Sequence, residues 1–230
     1  MRHSIHSVFY DQAEAHEAGG RYEDALALYY QVHRWASADA DLWLRMGVLS
    51  FLTTDAGWLQ ARGLDGSHVG DMGAVNADVY LSRAVELAPD HAPARFWRGW
   101  VRHRLFGDTE GAVTDLAVAV RERPQFAYAQ AALGRIELRR EGGEAGVAAE
   151  RLKLAIASLP ESGRLHYDMG ACLARLEQRD AAREAFRQAV RCGGLAVPTG
   201  VGGRHLGEEF HAAPGAIAEL VQRYYADIVM

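Results

Sequence analysis

The chain has 230 residues, of which 49% are hydrophobic and 24% are charged, and its 25 basic and 30 acidic side chains give a net charge of −5. This composition is ordinary for a folded globular protein and excludes general intrinsic disorder. The acidic balance disfavours partners such as nucleic acid or a membrane surface, because both attract an excess of positive charge.

The sequence contains no pattern typical of secretion or membrane insertion. Its first twenty residues lack an uninterrupted apolar core, and no run reaches eighteen apolar residues. We therefore expect a cytoplasmic protein. The two cysteines, Cys172 and Cys192, are too few for a disulfide framework, and we expect them to be space-filling thiols too far apart to bridge.

One sequence pattern recurs five times along the chain. It begins with an alanine, continues with a leucine or aromatic residue four positions later and a small residue three positions after that, and ends five positions later at a helix breaker. Such spacing predicts a helix with one narrow face that a second helix can approach closely. The alanines that begin the five copies are Ala25, Ala77, Ala112, Ala148 and Ala182.

A second helix is predicted before each of these, and three of the copies show a glycine near its centre. These glycines are Gly47, Gly134 and Gly170. A glycine inside a helix costs up to about 1 kcal/mol relative to alanine, so its recurrence indicates close packing of two backbones as compensation. The intervals between copies are 52, 35, 36 and 34 residues.

These residues resemble the tetratricopeptide repeat (TPR) family, whose unit is a helix–turn–helix of about 34 residues. The resemblance implies an all-α fold, a right-handed α-α superhelix (TPR solenoid) of five helix pairs plus a C-terminal capping helix. The expected repeat domain, 1–194, divides at approximately 6–39, 40–91, 92–126, 127–162 and 163–194. Residues 195–230 are expected to form an irregular segment and the capping helix, with the apolar stripe Ile217, Leu220, Val221, Tyr224, Tyr225 and Ile228.

The second copy is 18 residues longer than the unit, and the extra residues lie around Thr54–Gly73. We expect a helical hairpin with its turn at Gly63–Gly70 and a second helix starting at Met72 after an Asp71 cap. A loose glycine-rich loop is the alternative. An exposed Trp58 would make the insertion a specificity element, whereas a tolerated surface insertion would give it no role.

Catalytic and metal-binding patterns are incomplete in this sequence. The glycine-rich segment 200–205 lacks the Lys-Ser/Thr ending of a phosphate loop. His16-Glu17 is followed by Gly20 at the position where a zinc-protease helix has its second histidine. We therefore predict that the protein is not an enzyme and has no metal site and no cofactor.

In TPR proteins the first helix of each unit lines a concave groove that holds a segment of another protein. Applied to this chain, the resemblance implies acidic and then apolar positions at one end: Tyr10, Glu14 and Glu17, then Leu44, Val48 and Phe51. The third unit is ambiguous by one residue, because one extra residue lies between its helices. Its candidates are Trp97, Val101 and Arg104, or Phe96, Trp100 and His103.

The other end of the implied groove is rich in arginine. The predicted partner-binding residues are Trp97, Trp100, Arg104, Tyr128, Arg135, Arg139, Arg164, Tyr167 and Arg175. Arginine binds carboxylates through two parallel hydrogen bonds, and aromatic residues are common binding anchors. We therefore predict a protein–protein interaction module, an adaptor, assembly factor or accessory subunit, that binds an acidic peptide.

Several alternatives remain open at the level of sequence. The arginines could instead pair with Glu137, Glu141 or Asp168 and form a solvated surface. The protein could be an accessory protein that binds a small molecule or metal cofactor, or a regulatory subunit of an enzyme complex. A further stripe, Arg179, Arg183, Arg187 and Arg191, is expected to be a solvated, salt-bridged helix face, with an RNA contact as the alternative.

Overall fold

A computed structural model describes residues 5–54 and 69–192, and within these ranges the chain is helical and contains no strand. The prediction of an all-α fold is confirmed. The helices are α1 (Ile5–Ala18), α2 (Tyr22–Val32), α3 (Ala40–Thr54), α4 (Val69–Leu87), α5 (Ala92–Val101), a π-helical segment (Arg102–Phe106), α6 (Thr109–Glu122), α7 (Ala127–Arg139), α8 (Ala145–Ser158), α9 (Gly163–Arg175) and α10 (Arg179–Arg191). Trp58, residues 63–68 of the predicted hairpin turn and the predicted capping helix lie outside the described residues, whereas Val69 and Gly70 of that turn belong to α4.

The chain divides into two compact units, with the boundary between Val101 and Arg102. In the first unit α1 packs on α2 and α3 packs on α4, while α2 contacts α3, and α5 contacts both α3 and α4. The first helices of the pairs, α1, α3 and α5, therefore form one layer, and α2 and α4 form the other.

The second unit repeats this arrangement. The π-helical segment packs on α6, α7 packs on α8, and α9 packs on α10. Contacts of α6 with α7, of α8 with α9 and of α7 with α9 join neighbouring pairs. The first-helix layer of this unit consists of the π-helical segment, α7 and α9.

The recurrent small residues lie at the contact between the two helices of each pair. All five repeat alanines are buried. A Cβ atom at Gly47 would lie 2.5 Å from Leu81 Cγ, and one at Gly170 would lie 2.6 Å from Phe186 Cε1. Leu81 and Phe186 are the bulky residues of the repeat pattern, so the glycines are needed because the paired helix occupies the space of their side chains. The predicted close packing is confirmed.

Prolines set the ends of three second helices. Helices α4, α6 and α8 end at Leu87, Glu122 and Ser158, each two residues before a proline. A proline disfavours helical geometry in the residue before it, which explains why each helix stops there. Side chains also start helices: Asp108 accepts a hydrogen bond of 2.9 Å from the amide of Gly111 at the beginning of α6.

The π-helical segment accounts for the ambiguous register of the third pair. A π-helical turn contains more residues than an α-helical turn, so it can take up the one extra residue of this copy. Before the segment, Gly99 lies ten residues after Pro89, just as Gly134 lies ten residues after Pro124. Neither of the two predicted sets of groove positions therefore holds for the whole third unit. Before the π-helical segment the set with Phe96 and Trp100 applies, and within the segment the set with Arg104 applies.

One predicted helix start differs from the structure. Helix α4 begins at Val69, not at Met72, and Asp71 therefore lies in its first turn and not at the cap. An acidic residue is favourable throughout the first helical turn because of the helix dipole, so the sequence alone did not fix the start. Cys172 is buried and Cys192 is partly buried, and both are free thiols.

Candidate functional site

Equivalent positions on the first helices can be counted from the packing glycine of each pair. We use the name first-helix face for the positions three residues before this glycine and one, four and five residues after it. In α3 the face consists of Leu44, Val48, Phe51 and Leu52; in α7 of Ala131, Arg135, Leu138 and Arg139; and in α9 of Tyr167, Ala171, Ala174 and Arg175.

The first-helix face of the first unit is apolar and buried. Leu44, Val48 and Phe51 are each only 1% exposed. Trp97 and Trp100 of α5 are buried as well, and the ring of Trp97 lies 6.0 Å from that of Phe51. The structure thus places the two predicted tryptophan anchors in the interior, because they join an aromatic cluster whose burial removes a large apolar area from water.

An acidic cluster lies where α1 meets α3. Glu17 is 4% exposed and accepts hydrogen bonds of 2.9 Å from Tyr29 Oη and from Arg45 Nη1. Arg45 Nη2 lies 2.9 Å from Glu14 Oε1, and its guanidinium carbon lies 5.8 Å from the ring centroid of Tyr10. Burial raises the pKa of Tyr10 to about 12. Two carboxylates therefore share one guanidinium, and the cluster keeps a formal negative charge.

The first-helix face of the second unit is partly exposed and carries polar residues: four of its eight residues are exposed, three are intermediate and Ala131 is buried. Tyr167 occupies the position equivalent to Leu44 but is 39% exposed. Arg139 and Arg175, five residues after their glycines, are exposed, whereas the equivalent Leu52 of the first unit is buried.

Asp168 joins two of the predicted arginines. This buried carboxylate accepts a 2.7 Å hydrogen bond from Arg135 Nε of α7 and a 3.2 Å hydrogen bond from Arg164 Nε, one turn away on α9. Arg164 also lies 5.8 Å from the ring centroid of Tyr167. The sequence alternative in which Asp168 pairs with the arginines is thus observed. Two guanidiniums share one carboxylate here, which leaves a formal positive charge.

Arg175 has a structural partner set that sequence reasoning missed. Its guanidinium donates hydrogen bonds to the carbonyl oxygens of Leu138 and Gly143, the latter at 2.9 Å. Leu138 lies in the last turn of α7, where carbonyls lack partners within the helix, and Gly143 follows the end of α7. Arg175 therefore fastens α9 to the connection between α7 and α8.

Arg104 and Arg139 add positive charge near one another. Burial lowers the pKa of His103, and the charges of Arg139 and Arg104 lower it further. His103 belongs to the π-helical segment, and its Nδ1 lies 3.3 Å from the hydroxyl of Thr109. Both arginines therefore act on the same imidazole, although they belong to neighbouring elements of the first-helix layer.

The two first-helix layers differ in charge. Six arginines and two carboxylates lie on the π-helical segment, α7 and α9, whereas four carboxylates and three arginines lie on α1, α3 and α5. Glu137, one of the two carboxylates in the first-helix layer of the second unit, accepts a hydrogen bond from the amide of Glu144 in the following loop. The positive excess is therefore concentrated on the second unit.

Two other kinds of site are absent from the described ranges. Residues 5–54 and 69–192 contain no group of three histidine, cysteine or carboxylate side chains that could hold a metal ion. In the same two ranges, none of the helices combines the length and the apolar character that crossing a membrane requires.

Comparison with known proteins shows a likeness at the level of fold. No protein-family description matches the sequence, and no curated protein matches it. A crystal structure of MamA is 20% identical, with 81% of this chain and 91% of that chain covered and a TM-score of 0.58. A structure of MamA, residue 41 to the end, from Desulfovibrio magneticus RS-1 is 18% identical, covers 84% and 97%, and has a TM-score of 0.61. The shared architecture is consistent with stacked TPR-like helix pairs.

Proposed function

We propose that the protein is a non-catalytic interaction scaffold that binds an acidic peptide segment of another protein on the first-helix face of its second unit. The observation that carries the proposal is the contrast between a buried apolar face in the first unit and a partly exposed face with three arginines in the second. The fold shared with MamA is compatible with this role.

The excess of positive charge on the second unit favours binding of an acidic segment. The π-helical segment, α7 and α9 carry six arginines and only two carboxylates. A peptide carboxylate on this face would meet planar guanidinium groups that can donate two parallel hydrogen bonds. Opposite charges across an interface raise the association rate and favour acidic over basic partners.

The arginines have different tasks in this proposal. Arg135, Arg164 and Arg175 are held by hydrogen bonds within the protein, so they shape the face and set its charge. Arg104 and Arg139 are expected to meet the ligand carboxylates, because Arg139 lies at the exposed end of the face in α7 and both act on the imidazole of His103.

Tyr167 is the expected aromatic anchor. It is partly exposed, and its ring lies 5.5 Å from that of Phe186, which holds it in place. Aromatic side chains with a fixed orientation are common binding anchors, because little conformational entropy is lost when they bind.

The proposal can be tested with synthetic peptides. Fluorescence anisotropy would compare labelled fourteen-residue peptides that differ only in whether four positions are glutamate or lysine. We expect the acidic peptides to bind more tightly and to lose affinity as salt is added. The double variant Arg104→Glu/Arg139→Glu should bind them at least about tenfold more weakly, which is 1.4 kcal/mol or more.

A matched control makes this loss specific. Arg183→Glu/Arg187→Glu changes the net charge equally on the exposed side of α10, and it should alter affinity less than about twofold. Equal binding of acidic and basic peptides, or equal losses in both double variants, would contradict the proposal.

A further inference from the structure

Helix α3 is enclosed on every side. The seven consecutive residues 46–52 are all buried. Because an α-helix turns by about 100° per residue, seven consecutive positions cover its whole circumference. A helix that is buried all round needs packing partners all round.

Four helices of the first unit contact α3. It contacts α2 and α4 of the second-helix layer and α5 of its own layer, and Arg45 connects it to α1. Leu44 and Val48, which the TPR resemblance assigns to the groove of the first helices, are 1% exposed. Phe51 of the same face packs on Trp97 of α5, with ring centroids 6.0 Å apart.

One segment of the sequence is suited to cover this face. Residues 214–230 carry apolar residues with the spacing i, i+3, i+4, i+7, i+8 and i+11, which predicts an apolar stripe along one helix face. Before it lie the 21 residues 193–213, which can extend up to about 70 Å. A connection of this length can pass several neighbouring helices, since the axes of packed helices lie about 8–10 Å apart.

The last helix pair does not require an apolar segment to cover it, because its outer surface is polar. The surface of α10 carries Arg183, Arg187 and Arg191, which form ion pairs with Asp180 and Glu184. Val190 of the same helix is 63% exposed. A terminal repeat with a polar outer face remains in contact with water without an apolar cap.

We propose that residues 214–230 form an amphipathic helix that lies on the first-helix face of the first unit, with its apolar stripe against Leu44, Val48, Phe51 and Trp100. The first unit then binds a segment of its own chain, while the face of the second unit stays available for a partner. This inference is independent of the proposed peptide binding, which concerns the second unit alone.

A photo-crosslinking experiment on the full chain tests the location of the segment. Replacement of Tyr224 by p-benzoylphenylalanine places a photoreactive ring on the stripe, and replacement of Gln222 places it off the stripe as a control. After irradiation, mass spectrometry identifies the joined peptides. We expect position 224 to crosslink within residues 42–54 or 92–101, at least about fivefold more than position 222.

Other crosslinks would overturn the inference. Crosslinks from position 224 to residues 179–191 would show a cap on the last pair, and crosslinks between two chains would show a dimer contact. Equal yields from the two positions would show that the stripe has no specific partner. The same probe at Trp58 tests the other segment near α3, and a dominant crosslink from position 58 to residues 42–54 or 92–101 would assign the cover to the insertion.

A second measurement reports on α3 and α5 themselves. Hydrogen exchange would compare Leu220→Asp/Tyr224→Asp with Gln222→Asp, which adds a charge off the stripe. We expect peptides from residues 42–54 and 92–101 to exchange at least about tenfold faster in the double variant, with little change in residues 127–175. Unchanged exchange in the first unit would contradict the inference.

Discussion

The two units contain helix pairs that pack in the same way, but their first-helix faces differ in exposure. Leu44 and Tyr167 both lie three residues before a packing glycine, yet the first is 1% and the second 39% exposed. The seam behind them is the same in both units, since Gly47 meets Leu81 and Gly170 meets Phe186. The repeat pattern therefore determines how the helices pair, but it does not determine whether the first-helix face is buried or exposed.

The ion-pair clusters of the two units have opposite ratios of acidic to basic groups. In the first unit Glu14 and Glu17 share Arg45, and in the second Arg135 and Arg164 share Asp168. Each cluster joins first helices of neighbouring pairs, so each contributes to stacking while leaving a charge of opposite sign. The predictions below test this comparison.

Removal of Asp168 should have the largest effect. Asp168→Ala leaves Arg135 and Arg164 close together without their carboxylate, and loss of one partner from a buried ion pair typically costs about 3–5 kcal/mol. Urea unfolding would measure the loss. The control Asp180→Ala, on the exposed side of α10, should change stability by less than about 0.5 kcal/mol, and similar losses in the two variants would contradict the role of Asp168.

Glu17→Gln should have a smaller effect, of about 1–2 kcal/mol. Glutamine keeps an oxygen that can accept the hydrogen bond from Tyr29, and Arg45 keeps its contact with Glu14. The matched variant Asp168→Asn should cost more, because two guanidiniums then lose their only shared carboxylate charge. A reversed order in chemical denaturation would show that the clusters are not equivalent in the way described.

The pH dependence of the second unit should depend on His103. Its pKa is lowered in the folded protein, so the unfolded chain binds more protons as the pH falls toward the unfolded value of about 6.5. The free energy of unfolding should therefore decrease from pH 7.5 to pH 5.5, and His103→Gln should reduce this decrease. Parallel pH profiles of the two proteins would contradict the lowered pKa.

Surface pairs on the second helices should have the smallest effects and should be alike in both units. Arg83 pairs with Glu86 on α4, and Lys153 pairs with Glu150 on α8, both at i, i+3 spacing. Arg83→Ala and Lys153→Ala should each lower stability by less than about 0.5 kcal/mol. A clear difference between the two in thermal unfolding would show that the units also differ away from their first-helix faces.

The sequence predicted the helix pairs well because their signals are local. The repeat alanines, the packing glycines and the prolines after α4, α6 and α8 each act within a few residues of their position. The one-residue excess of the third copy was visible in the spacing, but only the backbone shows that it forms the π-helical segment Arg102–Phe106.

The state of the first-helix faces was less predictable, because it depends on distant parts of the chain. The pairing of Arg164 with Asp168 follows from i, i+4 spacing, whereas Arg135 and Asp168 are 33 residues apart. Trp97 and Trp100 have the residue type of binding anchors but lie in the interior. Residue type alone does not distinguish an exposed aromatic anchor from a core residue.

The most direct test of the contrast between the two faces is the reactivity of single thiols at equivalent positions. In a chain with Cys172→Ala and Cys192→Ala, the variants Leu44→Cys and Tyr167→Cys would each be labelled with a thiol reagent in native buffer and in denaturant. The account predicts that the thiol at position 167 reacts within about tenfold of its unfolded rate, whereas that at position 44 is slowed at least about 1000-fold. Similar protection at both positions would contradict it.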